Sequence, residues 1–211
     1  MNHIHLVGVD EAGRGPIAGP VAVGICFVPR KFSAKLGRKF SDYPFGKDSK
    51  KLTGALRELW FKRMTLAKKE GVLDFHVSLV GQNIIDKKGL SWAVRKAMAK
   101  ALKKLPSSPE RCRVLLDGAL FAPRNFTNQK TIIKGDEKEF IITLASIAAK
   151  VTRDRYMTKF SQKFPDFGFE KHKGYGTRAH YEAIGKHGLC KLHRRSFLKG
   201  SKTAWNMEHA T

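Results

Sequence analysis

A chain of 211 residues makes one domain or at most two, and it can bury roughly 70% of the surface its unfolded form exposes, so folding needs no metal or disulfide staple. Its 41 Lys and Arg against 18 Asp and Glu leave a formal charge of +23, which calls for a polyanionic partner, nucleic acid before any other. No apolar run reaches the ~18 residues of a membrane-spanning helix, and no secretory leader opens the chain. The three cysteines, Cys26, Cys112 and Cys190, are far apart and lack a C-x-x-C pair, which fits free thiols in a reducing cytoplasm.

Ile4 to Val9 and Val21 to Val28 are rich in β-branched residues and read as two strands, pairing as in a hairpin. Between them stands Asp10-Glu11-Ala12-Gly13-Arg14-Gly15-Pro16, two adjacent carboxylates running into a glycine- and proline-rich turn. Lys31 to Lys47 is basic and aromatic without a period and reads as an exposed loop, a candidate duplex contact. Thr53 is placed to cap a helix carrying Leu56, Leu59, Trp60, Arg63 and Met64 and stopping near Gly71. Asp74 to Val80 alternates as a strand. Ser91 is read as the cap of a helix to Leu105 with Val94, Met98, Ala101 and Leu102 inward. Val114 to Leu116 and Thr131 to Ile133 are short strands, each ending in a carboxylate next to glycine, at Asp117-Gly118 and Gly135-Asp136. A helix from Phe140 to about Phe160 follows, its charged tail including Arg153 and Asp154 as an ion-paired end. The aromatic, glycine-rich stretch from Phe164 to Gly176 reads as a loop, and Thr177 caps a helix ending near Gly188.

Strands and helices in alternation imply an α/β sandwich around a sheet whose first pair is antiparallel. In such sheets ligands gather beyond the carboxyl ends of strands, where Asp10, Glu11, Asp117 and Asp136 are all predicted to lie. Like carboxylates brought together repel unless a cation neutralises them, and an oxygen-only set suits Mg²⁺ or Mn²⁺ better than zinc. In a nucleic-acid-binding protein this arrangement points to phosphodiester hydrolysis with two divalent ions. Neighbouring strand residues face opposite ways, so the chain is expected to leave the strand at Asp10 for Glu11 to reach the same site. His187, Cys190 and His193 lack a fourth ligand and are read as a helix end and basic tail, not a zinc site.

The ordered set Asp10-Glu11-Ala12-Gly13-Arg14-Gly15-Pro16, Asp48-Ser49-Lys50-Lys51-Leu52, Leu116-Asp117-Gly118, Lys134-Gly135-Asp136, Ala145-Ser146-Ile147-Ala148-Ala149-Lys150-Val151-Thr152-Arg153-Asp154, His172-Lys173-Gly174-Tyr175-Gly176-Thr177 and His193-Arg194-Arg195-Ser196-Phe197 closely resembles bacterial ribonuclease HII. The resemblance implies an α/β, ribonuclease H-like mixed sheet flanked by helices. It also implies a single catalytic domain over 1–211, whose helical C-terminal portion from about 160 binds substrate. The activity implied is an endonuclease, acting as a monomer, that cuts the RNA strand of RNA·DNA hybrids and the 5′ side of single ribonucleotides in duplex DNA, leaving 3′-OH and 5′-phosphate ends. Asp10, Glu11, Asp117 and Asp136 fall on the family's metal positions; Glu137 follows Asp136 where the family has a small hydroxyl residue, and Asp136 is favoured because it keeps the Lys-Gly-Asp pattern. Gly13, Arg14 and Gly15 match the segment that reads a 2′-hydroxyl through the backbone, Tyr175 the tyrosine that packs on the sugar, and Lys50 and Lys51 phosphate contacts. The related ribonuclease HIII carries an N-terminal substrate-binding domain, for which the position of Asp10 leaves no room. The alternative from another class is a non-catalytic basic nucleic-acid-binding protein whose carboxylates only pair with lysines.

Overall fold

The computed structural model describes residues 4–32, 40, 42 and 52–198. Strand β1 (His5–Ala12) pairs antiparallel with β2 (Val21–Pro29), setting Val9 opposite Ile25 and Asp10 opposite Gly24. With β3 (Asp74–Val80), β4 (Cys112–Asp117) and β5 (Gln129–Ile132) they form a five-stranded mixed sheet of order β3-β2-β1-β4-β5. The pair β2–β3 is antiparallel, and β1–β4 and β4–β5 are parallel. The carboxyl ends of β1, β4 and β5 therefore open on one edge of the sheet.

Alternation along β1 and β2 divides the core in two. Val7, Val9, Val23 and Ile25 face helix α3 (Leu90–Leu102), packing with Val94 and Met98. On the other face Cys26, Val28 and Leu115 meet helix α5 (Phe140–Ser161) through Leu144, Ile147 and Ala148, and helix α1 (Gly54–Lys69) through Trp60 and Met64. Thr53 caps α1, its hydroxyl accepting from the Leu56 amide at 3.2 Å. A third cluster joins the turn after β1 to the C-terminal part, with Ile17 and Ala18 against Met157, Phe169, Ile184 and Leu192. There the short helices α6 (Phe169–His172) and α8 (Arg195–Leu198) flank α7 (Arg178–His187), whose N-cap is Thr177. Among the described residues no helix is long and apolar enough to cross a membrane.

Helix α5 lies directly on the strands because two strand positions carry no side chain. A Cβ on Gly8 would sit 2.2 Å from the Ile141 carbonyl oxygen, and one on Gly24 would sit 2.4 Å from that of Ala145. Both obstacles are backbone, which cannot rotate aside. Gly24→Ala is accordingly expected to cost about 1–3 kcal/mol by forcing α5 off the sheet. Denaturant unfolding checks this, as a lower midpoint with the slope unchanged.

Two expectations are corrected. The segment before Ser91 is helical: α2 (Gln82–Lys88) ends at Gly89, whose φ of 82° breaks the chain, and Gly89 rather than Ser91 is the N-cap of α3. Only Ile85 of α2 is buried, too little to make a visible stripe. On α1, Trp60 and Met64 are buried while Leu59 is 47% exposed. In the basic aromatic stretch, Phe40 is buried against Trp60 and Phe140, so the chain is anchored at that point instead of standing clear. The rest of that expectation, with Lys50 and Lys51, lies outside the described residues.

Candidate active site

Parallel pairing of β1 with β4 stops at Val9 and Leu116, while β1 continues to Ala12 alongside β2 alone. The chain thus does not leave the strand at Asp10, as the alternation argument required. Asp10 and Glu11 extend past the last β4 rung on opposite faces of the pleat, Asp10 toward α5 and Glu11 toward α3. Both still line one cleft of about 220 Å³, together with Asp117, Gly13, Arg14, Gly15, Arg57, Ser146, Lys150 and Tyr175. The freed edge beyond Val9 is what lets both reach it. Glu11 and Arg14, their side chains 3.4 Å apart, also border an adjoining cleft over Val94, Arg95 and Met98.

Asp10 is 1% exposed. Its Oδ1 accepts the Glu11 amide at 2.7 Å, while Oδ2 is buried and makes no hydrogen bond. Burial first, and then the Glu11 charge, raise its pKa well above the usual carboxylate range; Asp117 adds to this, and the Ser146 hydroxyl draws it back in part. Asp117 ends β4, and its Oδ1 accepts the Gly135 amide at 2.7 Å, with the Asp136 amide at 3.4 Å. Lys134, in the left-handed region at φ 55°, turns the chain from β5 into the short helix α4 (Gly135–Lys138) to present those amides. Asp136 is buried at 4% exposure and its carbonyl accepts from the Thr143 hydroxyl, but it does not line the cleft. Glu137 beside it is partly exposed.

Among the described residues no three His, Cys, Asp or Glu side chains form a ready-made metal cage. That is compatible with Mg²⁺ or Mn²⁺, which bind through one or two carboxylates together with water and substrate phosphate. A buried, charge-crowded carboxylate with an unmatched oxygen is the donor such an ion suits.

Sequence reasoning gave no role to Arg57, Ser146 or Lys150. For the last two a signal existed, since residues four apart share a helix face and both lie on α5 toward the cleft. Lys150 reaches Asp154 at 2.8 Å and lies 5.6 Å from the centre of the Tyr175 ring. Arg57 carried no such signal.

Arg153 is not an ion-paired helix end. It is 1% exposed, and its three nitrogens donate to the carbonyls of Pro20 (2.9 Å), Lys173 (3.0 Å) and Ala18 (3.1 Å), leaving Asp154 to Lys150. Arg194, 0% exposed, does the same for Gly19 (2.9 Å), Arg14 (3.0 Å) and Gly13 (2.7 Å). Gly13 has φ +88°, and a Cβ there would strike Arg153 Nε at 2.1 Å. The turn after β1 is therefore built around two guanidinium groups.

Tyr175 is 43% exposed, and its ring faces Gly15 across the cleft. Its backbone is held by histidines. The Cys190 amide donates to His193 Nδ1 (2.9 Å), so His193 Nε2 carries the proton and donates to His180 Nε2 (3.1 Å); His180 Nδ1–H then donates to the Tyr175 carbonyl (2.8 Å). Only neutral imidazoles satisfy that chain. Burial depresses both pKa values to about 4, with the nearby His172 acting in the same direction.

Residues 7–200 match the family model of ribonuclease HII. The chain is 42% identical over 192 residues to ribonuclease HII of Endomicrobium trichonymphae, covering 91% of this chain and 84% of that protein. It is 41% identical over 190 residues to that of Chlorobaculum tepidum, covering 90% and 87%. Among solved structures it is similar to ribonuclease H2 from Pyrococcus horikoshii OT3, with a TM-score of 0.71 and 30% identity over 97% of both chains. The fold is also that of Bst-RNase HIII, solved in complex with Mn²⁺, at a TM-score of 0.63 and 18% identity over 100% of this chain and 71% of that one. With this agreement over nearly its whole length, the chain belongs to the ribonuclease HII family and is a metal-dependent endoribonuclease of the ribonuclease H type, directed at the RNA strand of RNA–DNA hybrids.

Proposed function

We propose that the enzyme also cuts on the 5′ side of single ribonucleotides embedded in duplex DNA, leaving 3′-OH and 5′-phosphate ends. One observation carries this reading: the cleft that holds Asp10, Glu11 and Asp117 is the same one lined by Gly13, Arg14, Gly15 and Tyr175, so the acidic centre and the residues proposed to read the ribose share one opening. Asp10, Glu11 and Asp117 would hold the divalent ions. Asp136 joins them in this proposal through its Lys-Gly-Asp pattern and its burial beside Asp117 rather than through the cleft lining. Two Mg²⁺ or Mn²⁺ ions supply, when bound, acidification of an attacking water and charge stabilisation at the leaving 3′ oxygen. The protein's own part is positional. The Asp117 carboxylate is fixed by the Gly135 amide, Lys150 and Arg57 offer positive charge to phosphate, and backbone groups at Gly13 to Gly15 meet a 2′-hydroxyl, the group that separates RNA from DNA. Tyr175 closes the gap from the other side.

The test is cleavage of three end-labelled duplexes, one with a single ribonucleotide, one a long hybrid and one all DNA, with Mg²⁺ or Mn²⁺. Nicks 5′ to the ribonucleotide with 3′-OH ends, cutting of the long hybrid, and no cutting of the all-DNA duplex are expected. Cutting that persists in chelator, or an intact single-ribonucleotide duplex, would overturn the reading.

Gly15 gives a sharper check. A Cβ there meets only the Tyr175 ring, at 3.8 Å, so Gly15→Ala is expected to fold normally. The added methyl narrows the gap, and kcat/KM on the single-ribonucleotide duplex should fall by about 10²-fold, as misplacements of roughly 1 Å do. Unchanged kinetics would remove Gly15 from the substrate site.

A further inference from the structure

A trans peptide unit points its C=O and its N–H in opposite directions. Arg194 draws the carbonyls of Gly13 and Arg14 into the protein, so the N–H groups of the following residues, Arg14 and Gly15, are turned outward on the side of the cleft that these residues line. Among the described residues neither N–H has an acceptor, whereas further along the turn the Ile17 and Ala18 amides bond the Gly174 carbonyl and the Gly19 amide bonds that of Leu192. Two adjacent outward donors on a turn held from within by Arg194 and Arg153 form a preorganised site for an acceptor atom.

The choice of arginine follows from the geometry. Three carbonyls at different bearings need a planar fork with several donors, which a lysine ammonium on a flexible stem does not reproduce. The turn holding this fork is itself pinned by the second one, since Arg153 takes the carbonyls of Ala18 and Pro20 and lies against Gly13. No carboxylate bonds either guanidinium among the described residues, so the carbonyls alone satisfy their donors.

Building on the function proposed above, we infer that Arg194 is the positioning residue of ribose discrimination: by holding two carbonyls inward it aims the Arg14 and Gly15 amides at the 2′-oxygen of the substrate. Arg194 touches neither substrate nor metal in this role. Its effect is confined to a difference between ribose and deoxyribose.

The test compares wild type with Arg194→Lys, which keeps the charge and loses the fork. Two quantities are measured, kcat/KM on a single-ribonucleotide duplex and Kd for the all-DNA duplex of the same sequence. Arg194→Lys should lower the first at least tenfold and leave the second within twofold. Unchanged kcat/KM, or an equal loss on both duplexes, would overturn the inference. Should the variant fail to fold, amide exchange on the wild type decides: the single-ribonucleotide duplex must slow exchange at Arg14 and Gly15 more than the all-DNA duplex does, and equal protection would overturn it. A wild type that does not distinguish the two duplexes at all would sink the functional reading instead, before Arg194 is reached.

Discussion

Asp10→Asn is expected to lower cleavage of a hybrid duplex by about 10³-fold or more, a loss of about 4 kcal/mol of transition-state stabilisation, while leaving the metal-free protein at least as stable as before. The two halves of this expectation have one cause. Asp10 is buried beside Glu11 and Asp117 with one oxygen unmatched, and its pKa is raised. A carboxylate whose folded pKa lies above its unfolded value contributes stability at low pH and loses it as pH rises through the folded value, so at neutral pH without metal the ionised group is a burden. Asparagine keeps the acceptor for the Glu11 amide and removes the charge. Mn²⁺ should raise the unfolding midpoint of wild type, by about 2.7 kcal/mol at a hundred times its Kd, and that of the variant much less. Cleavage at wild-type rate by the variant would take Asp10 out of the metal site.

The histidine chain under Tyr175 predicts acid sensitivity. His180 and His193 have folded pKa values of about 4 against an ordinary value of 6.5. Between those values the unfolded chain binds more protons than the folded one, so the stability these groups contribute is complete above pH 6.5 and declines as pH falls toward 4. With a pair that shares one hydrogen bond, the loss should be about 3–5 kcal/mol. The charged neighbourhood adds to it, since His172 stacks on His180 at 4.3 Å and Arg195 lies near His193. Unfolding free energies at pH 7.5, 5.5 and 4.5 measure the effect, and proton NMR of the two rings reports the titrations. Rings titrating near pH 6.5 would refute it.

Where one physical cause acts locally, the sequence was a sufficient guide. The alternating Asp74–Val80 is a strand over those same residues, and Thr53 and Thr177 cap the helices they were expected to cap. The placement of Asp117 followed from its strand end, whereas Asp10 and Glu11 lie inside β1 and reach the same mouth because β4 stops pairing with β1 at Leu116; residues 116–118 and 134–136 needed only adjacent parallel strands to meet. What escaped was tertiary. Arginine in a helix tail reads as solvated, yet Ile142, Ser146, Ala149, Arg153 and Met157 form one buried row on α5, and two of the three acceptors for Arg153 lie more than 130 residues earlier in the chain. His193 looked like part of a basic tail because its partner, His180, lies on helix α7, thirteen residues earlier. The position of Asp136 outside the cleft lining depends on the left-handed turn at Lys134, an unusual conformation for lysine that no pattern announces.

The fork at Arg194 also fixes an order of assembly. Its bonds to Gly13, Arg14 and Gly19 span 175 to 181 residues, and the Ala18 rung to His193 spans nearly as many. Contacts so distant in sequence close last, after the loop entropy between them has been met. On the ribosome, a nascent chain can form the hairpin that carries Asp10 and Glu11 early, but its turn stays without inward donors until residue 194 emerges. A chain interrupted before that point would present Asp10 and Glu11 beside a turn whose Gly13 and Arg14 carbonyls lack the fork that holds them inward.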